Sequence, residues 1–418
     1  MLNKKVFSWA LYDFADTAFS ALFITFFFPI LIKVYLGGNE LQIGLTMGLS
    51  LLAAALLVPV IGALSDATGR KIPILFVSTV ITVGLAALTG YVGLFFALAL
   101  GFFANLFHSI DVDLYDSQLN DIAPYSQRGR ISGFGIAIGY LGTIASLIVA
   151  YLIMNQIGWD TKQAVQAIFP ATAAFYFIFS LPLFIYLRDR PRPTISFKRS
   201  IRTAFSELKY TLTKMPEMKG LGSFLLASFI YNNGMNTVII FLSLYATQII
   251  GLSIQAFFFV FGALAIGSFF GSLIFGRFSD RFGPKRSLSV VLALWILVVL
   301  YFLNISWVAS LINTPHSLIV AFIIGGMVGG AALGSVWVGN RHMVTRLAPR
   351  RKIAEIFGIE GLTQKFSGGV GPVLFGLVVI LAGKGNEIVG YQNALWMILI
   401  FFVLGLIILW RIPKEVKV

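Results

Sequence analysis

Apolar residues run along this chain in twelve long blocks. The first six cover about 6–33, 40–65, 72–91, 92–121, 129–154 and 164–187. The second six cover about 219–248, 253–277, 285–303, 316–341, 352–382 and 390–411. A helix rises 1.5 Å per residue, so about 20 apolar residues cross a bilayer core. Within hydrocarbon each backbone group must bond inside its own segment, which makes these blocks α-helices. The pattern predicts an all-α membrane protein with twelve transmembrane helices. The first apolar run is too long for the core of a secretory signal and reads as an uncleaved first span. Between the two sets lies a basic stretch, 189–218, separating an N-terminal half (1–188) from a C-terminal half (219–418). Its residues Ile201, Phe205, Leu208 and Leu212 fall on one helical stripe, as in an amphipathic helix lying at a membrane face.

Composition removes most other readings. Of 418 residues, 58% are hydrophobic and 11% charged, and mean hydropathy is +0.89. A soluble domain carries about a quarter charged residues, so a cytosolic enzyme, a disordered chain and a disulfide scaffold are all excluded. Cysteine is absent, which rules out thiol catalysis and Cys-ligated metals. The net charge of +14 would point to nucleic acid in a soluble protein. Here its distribution decides otherwise. With an even number of spans, 27 Lys and Arg fall on the side of the termini. Three, Lys33, Lys162 and Lys384, fall on the other, and Lys365 lies inside a span. The positive-inside rule then places both termini in the cytoplasm of a multi-pass plasma (inner) membrane protein, with no nucleic-acid partner.

The halves read as repeats. Gly62-Ala-Leu-Ser-Asp66-Ala-Thr-Gly69-Arg70-Lys71 follows the second span, and Gly276-Arg-Phe-Ser-Asp280-Arg-Phe-Gly283-Pro-Lys285-Arg286 follows the eighth. The offset is 214 residues throughout. A weaker echo pairs Ile122-Ala-Pro124 with Leu347-Ala-Pro349. Six spans plus six, both starting inside, give parallel repeats about a pseudo-twofold along the membrane normal, the arrangement of major facilitator transporters. The loop resembles the signature loop of that superfamily. Gly62 and Gly276 would allow close helix approach, and Gly69 and Gly283 a tight turn. Asp66 and Asp280 would accept bonds from a helix N-terminus or an Arg. Such a polar contact can break and reform, so the loops are candidate gates.

A closer resemblance rests on four places. The first span reads Trp9-Ala-Leu-Tyr12-Asp13-Phe14-Ala15-Asp16-Thr17. The fourth ends Tyr115-Asp116, then Asp121-Ile-Ala-Pro124. The seventh reads Tyr231-Asn232-Asn233-Gly234. The tenth and eleventh carry Arg346-Leu-Ala-Pro349, Ala354-Glu355-Ile-Phe357-Gly358 and Lys365-Phe-Ser-Gly-Gly-Val-Gly371-Pro372. Together these resemble the vacuole effluxer family, a branch of the superfamily named for fungal vacuolar amino-acid exporters. The resemblance implies the major facilitator fold, a small-solute cargo, no cofactor, a monomer in the lipid bilayer, and a cavity lined by the first, fourth, seventh and tenth helices. The family pattern has Asn where this chain has Asp16 and Asp116, Asp where it has Asn233, and Gln where it has Trp337. Acidic charge has moved from the second half to the first.

Ionisable groups inside a span cost at least about 2.5–3.5 kcal/mol each, so they mark function by default. The first span carries Asp13 and Asp16 on one face, and the fourth carries His108, Asp111, Asp113 and Asp116. At helical rise, Asp16 and Asp111 lie at matching depth, roughly 16 Å from their cytoplasmic ends. Crowded carboxylates can share and release protons, or hold an amine or a divalent metal. In the second half, Asn232, Asn233 and Asn236 offer hydrogen bonds to a substrate or to neighbouring helices. Trp337 could stack on a cation or simply pack, and Lys365 could pair with Glu360 or an anionic group. The fifth and tenth spans carry glycine faces suited to close packing. No phosphate-binding loop, zinc-protease motif or nucleophile elbow is present, so enzymatic chemistry has no home. The expected function is secondary, alternating-access transport of an amino acid or related amine, linked to protons. Two alternatives stay open. One is a divalent-metal transporter using Asp13, Asp16, His108 and Asp111; the other is a lipid-handling or receptor-like protein without turnover.

Overall fold

The computed structural model describes residues 4–123, 128–189, 220–312, 316–348 and 353–412, with isolated positions at 196, 198, 199, 201–203, 206, 213 and 314. Most of the amphipathic stripe, including Phe205, Leu208 and Leu212, and both prolines of the weaker repeat echo lie outside the described residues, as do the side chains of Asp66, Arg128 and Arg130. Twelve helices are long and apolar enough to cross a membrane. They are Lys4–Tyr35, Glu40–Ser65, Lys71–Thr89, Leu94–Leu119, Ile131–Ile157 and Lys162–Tyr186, then Leu221–Ile249, Ile254–Phe282, Pro284–Leu303, Ser317–Leu347, Ile356–Gly383 and Glu387–Trp410. They are called the first to twelfth helices below. A short helix, Ile305–Ile312, sits in the loop after the ninth and was not expected from the sequence.

Local chemistry sets the helix ends. The second helix starts at a capping box: Asn39 Oδ1 accepts from Gln42 N (2.9 Å), and Gln42 Oε1 accepts from Asn39 N (3.0 Å). Thr161, Ser253 and Asn386 cap the sixth, eighth and twelfth through a side-chain oxygen. All four caps lie at the end away from the basic loops. On the basic side the second helix closes at Gly69 (φ 65°), and the eighth at Gly283 (φ 87°). A positive φ at both equivalent positions explains the paired glycines, left-handed helical at Gly69 and extended in ψ at Gly283. The first helix departs from α geometry: Ser20–Phe27 and Leu31–Tyr35 are π-turns on either side of Phe28–Ile30, which contains Pro29. Proline removes one backbone donor, and wide turns absorb the break.

The chain divides into two compact units: Met1–Glu207 with Leu242–Leu244, and Leu208–Phe241 with Tyr245–Val418. In the first, the first helix is the most buried. Tyr12, Phe19, Phe23, Phe26, Phe27 and Phe28 lose essentially all their exposure. It packs on the fifth and sixth, while the third packs on the fourth and sixth. A Cβ at Gly142 would lie 2.0 Å from the Phe14 carbonyl oxygen, so the fifth helix touches the backbone of the first. In the second unit, a Cβ at Gly371 would lie 2.5 Å from the Asn233 carbonyl oxygen. Phe14 stands two residues after Tyr12, and Asn233 two after Tyr231, so the same crossing occurs in both repeats. The eighth and tenth helices meet closely as well, Gly330 against the Leu264 carbonyl (2.1 Å) and Gly267 against that of Met327 (2.3 Å). Phe95, Ile274, Trp307 and Leu381 remain exposed on the outer faces, as lipid-facing side chains must.

Candidate functional site

In the first unit the acidic residues do not form one cluster. Asp111 is fully buried on the fourth helix. Its Oδ2 accepts from Thr82 Oγ1 of the third helix (3.2 Å) and from the Tyr176 hydroxyl of the sixth (3.3 Å). Tyr176 lies 2.8 Å from the Tyr12 hydroxyl of the first helix, which lies 2.9 Å from Thr79 Oγ1. A hydroxyl has one proton to give. Because Tyr176 donates to Asp111, it accepts from Tyr12, and Tyr12 in turn accepts from Thr79. The result is a one-way donor chain, Thr79 to Tyr12 to Tyr176 to Asp111, drawn from four helices. Asp111 Oδ1 has no hydrogen-bond partner among the described residues.

Asp16 does not meet Asp111 directly, as the matching depths suggested. Its Oδ1 lies 2.8 Å from His108 Nε2, an ion-pair distance that is out of line for a hydrogen bond. The His108 ring stacks on Phe19 (4.7 Å) and sits edge-on to Tyr176 (6.1 Å). One turn earlier, Asp13 turns to the fifth helix. Its Oδ2 would be 3.3 Å from a Cβ on Gly135 and its Cγ 3.4 Å from one on Gly139. Asp13 and Asp16 therefore serve different neighbours. Tyr115, one turn past Asp111, stacks on Trp9 (4.6 Å) and Tyr12 (5.0 Å) of the first helix. Asp113 is half-buried, and Asp116 is exposed. No three His, Asp or Glu side chains converge as metal ligands among the described residues.

The second unit holds a buried carboxylate of its own, Glu360 on the eleventh helix. Three groups donate to its Oε1: Ser228 Oγ of the seventh helix (3.5 Å), Asn340 Nδ2 of the tenth (3.3 Å) and Gln364 Nε2 one turn on (2.5 Å). Asn340 Oδ1 accepts from the Tyr231 hydroxyl (2.5 Å). Asn232 gives Nδ2 to Ser228 Oγ (2.9 Å), Asn233 gives Nδ2 to the Phe229 carbonyl (2.6 Å), and Asn236 reaches Ser367 Oγ (3.3 Å). Asn232 Oδ1 and Asn233 Oδ1 are buried with no hydrogen-bond partner among the described residues. Trp337 and Lys365 are half-buried on the tenth and eleventh helices. The sequence alone marked neither Thr79, Thr82 and Tyr176 nor Ser228 and Asn340. Isolated hydroxyls and one Asn in apolar helices carry no spacing signal. Tyr12 and Tyr231 did stand within the family-like stretches of the first and seventh spans.

The signature loops are tied within their own halves. Asp189, just past the sixth helix, accepts from the backbone N–H of Lys71 (3.0 Å) and Ile72 (3.1 Å), capping the third helix. Lys71 Nζ pairs with Asp121 (3.3 Å). At the equivalent place Lys285 Nζ donates to the carbonyls of Trp410 (2.9 Å) and Ile412 at the end of the twelfth helix. Arg346 Nη1 lies 3.1 Å from where a Cβ on Gly283 would sit. Arg70, Asp280 and Arg286 are exposed. Among the described residues the close approach expected at Gly62 and Gly276 is not seen: a Cβ would meet none of them within 4 Å at the first, and Val338 alone, at 3.9 Å, at the second. Gly133 likewise meets nothing, unlike its neighbours on the fifth helix.

Known proteins place this architecture. Among solved structures, a mutant of nucleoside transporter NupG matches with a TM-score of 0.74 at 16% identity, over 99% of this chain and all of that one (100%). A D-xylose-proton symporter matches with a TM-score of 0.72 at 14% identity, over 99% of this chain and 98% of the other. These likenesses establish the major facilitator fold. An uncharacterized MFS-type transporter of Bacillus subtilis (strain 168), YxiO, is 26% identical over 443 aligned residues, 99% of this chain and 96% of its own. Autophagy-related protein 22 of Yarrowia lipolytica (strain CLIB 122 / E 150) is 28% identical over 284 aligned residues, 60% of this chain and 45% of its own. The family model described as vacuole effluxer Atg22 like matches residues 112–417. The chain therefore belongs to the Atg22-like vacuole effluxer family of the major facilitator superfamily and is a membrane secondary transporter, not an enzyme.

Proposed function

We propose that this transporter moves an amino acid or related amine by alternating access, coupled to protons, as a monomer in a plasma membrane with both termini cytoplasmic. The observation that carries proton coupling is Asp111. It is a buried carboxylate at the end of a chain of hydroxyls, and its Oδ1 has no hydrogen-bond partner among the described residues. Burying an ionised carboxylate is costly unless its bonds are satisfied, and the bonds from Thr82 and Tyr176 both fall on Oδ2, with Ser78 of the third helix close by. Hydroxyls both donate and accept. When Asp111 takes a proton, the Tyr176–Tyr12–Thr79 chain can reverse its direction with no side chain leaving its place. Asp16 and His108 stand 2.8 Å apart beside it. The amine cargo is supported by membership of a family named for a vacuole effluxer and by the excess of acidic over basic groups within the first and fourth helices.

The divalent-metal reading has less support. Asp16 and His108 stand together, but Asp111 is engaged by Thr82 and Tyr176, and Asp13 faces the fifth helix. The signature loops, each tied to the last helix of its own half, are proposed to latch the cytoplasmic side through Asp66, Asp280 and their basic neighbours.

The test is flux in proteoliposomes loaded with a labelled amino-acid mixture or putrescine. An imposed pH gradient should drive flux in wild type. Asp111→Asn should lose the gradient-driven component and keep exchange between equal pools. Gradient-driven flux that survives in Asp111→Asn would remove the coupling role.

A further inference from the structure

The two buried carboxylates sit in chemically different surroundings. Asp111 is approached by hydroxyls, which can pass a proton along. Glu360 is approached from Tyr231 through the amide of Asn340, and an amide N–H donates but does not hand its proton on. Among the described residues, the hydrogen bonds to Glu360 from Ser228, Asn340 and Gln364 converge on Oε1. Such a shell fixes the side chain and leaves the other oxygen's side of the carboxylate as the direction in which charge can be met. Next to it, Asn232 is fully buried and holds its amide nitrogen on Ser228 Oγ, the same hydroxyl that donates to Glu360. Its Oδ1, an acceptor, has no hydrogen-bond partner among the described residues. A buried acceptor left without a partner is costly, so a missing donor is the economical explanation. Arg341, one residue beyond Asn340, acts on Glu360 electrostatically from the tenth helix.

We propose that Glu360 and Asn232 form a subsite in the second half for the cargo's ammonium group, with Glu360 supplying the countercharge and Asn232 Oδ1 a hydrogen-bond acceptor. An ammonium carries three donors and no acceptor, which is the complement of an anionic oxygen beside an orphan amide oxygen. The proton and the cargo's positive charge are then handled by separate carboxylates, one in each half. This assignment rests on the reading that the cargo is an amine. It also returns to the second half a carboxylate that Asn233, standing where the family pattern has Asp, had seemed to remove.

The experiment is thermal stabilisation and titration of the purified full-length protein. The probes are L-leucine, L-lysine and putrescine, each beside its N-acetylated counterpart. At least one free amine should raise the Tm of wild type while its acetylated form does not, since a ligand that binds the folded state stabilises it. Glu360→Gln and Asn232→Leu should weaken that binding by about 10-fold or more, as loss of a charge-assisted bond does. Asn304→Ala, at the exposed end of the ninth helix, should leave it unchanged. Carbodiimide labelling of wild type, read by mass spectrometry, covers the case of a variant that fails to fold. The same amine should slow modification at Glu360. If an amine binds but neither substitution weakens it and Glu360 labelling is unaffected, the subsite assignment falls while the amine cargo stands. If no amine binds wild type, both fall.

Discussion

At the scale of single residues, two tyrosines lead to the buried carboxylates. Tyr12 and Tyr231 occupy matching places on the first helix of each repeat, and both are fully buried. Each leads through one intermediate side chain to a buried carboxylate, Tyr12 through Tyr176 to Asp111 and Tyr231 through Asn340 to Glu360. Tyr176→Phe removes one hydroxyl and takes a partner from both Asp111 Oδ2 and Tyr12. The expected loss of stability is about 1–3 kcal/mol, read as a lower Tm in detergent. Its effect on transport should be larger than its effect on folding, because the break falls inside the donor chain. Gradient-driven flux should drop in Tyr176→Phe, and its pH profile should flatten toward that of Asp111→Asn. A Tyr176→Phe variant with an unaltered pH profile would leave the chain a purely structural one. The carboxylates of the first and fourth helices were legible in the sequence because charge is rare in such helices. Their partners were not. A Thr or Tyr in an apolar helix is common, and only the packing shows which hydroxyls turn inward.

At the scale of helices, the two repeats share one crossing. Gly142 lies against the Phe14 carbonyl and Gly371 against that of Asn233, each so close that a single added carbon overlaps backbone. Backbone cannot yield as a flexible side chain does, so overpacking here pushes whole helices apart. Gly142→Ala should cost about 1–3 kcal/mol in stability, measured as Tm. Gly84→Ala is the matched control: it faces outward on the third helix with nothing within 4 Å of the new carbon. Its Tm should stay the same or rise slightly, since Ala favours helix over Gly by about 1 kcal/mol. Equal losses at Gly142 and Gly84 would mean that glycine flexibility, not close contact, is what the fifth helix needs. Glycine spacing made the packing face of this helix visible in advance, but it overcounted, since Gly133 meets nothing. Spacing identifies a face, whereas contact depends on where two helices cross, and that is set by both partners. The π-turns of the first helix were invisible for a related reason. Pro29 announces a broken hydrogen bond, but whether the helix kinks or widens is decided by what packs around it.

At the scale of the whole molecule, the twelve spans were legible because a bilayer imposes length and apolarity on every crossing. Orientation rests on a different force. Twenty-seven of the Lys and Arg fall on the side of the termini and three on the other, and basic loops resist translocation. Helix capping follows the same division. The side-chain caps at Asn39, Thr161, Ser253 and Asn386 all stand on the charge-poor side. On the basic side the third helix begins against Asp189, and the ninth begins at Pro284 after Gly283. Because the chain contains no cysteine, any introduced one is the sole thiol and reports its own side without a background to remove. Arg70→Cys and Arg286→Cys lie in exposed positions of the two signature loops, and Lys384→Cys in the loop before the twelfth helix. In intact cells a membrane-impermeant maleimide should label Lys384→Cys and spare the other two, while in inverted membrane vesicles the pattern should reverse. Labelling of all three from one side would break the twelve-span topology, and the opposite pattern would place the termini outside. The two loop sites also test the proposed gates. If the loops around Asp66 and Asp280 latch the cytoplasmic side, the labelling rates of Arg70→Cys and Arg286→Cys should change together when cargo and a pH gradient are supplied, whereas that of a fixed turn would stay constant.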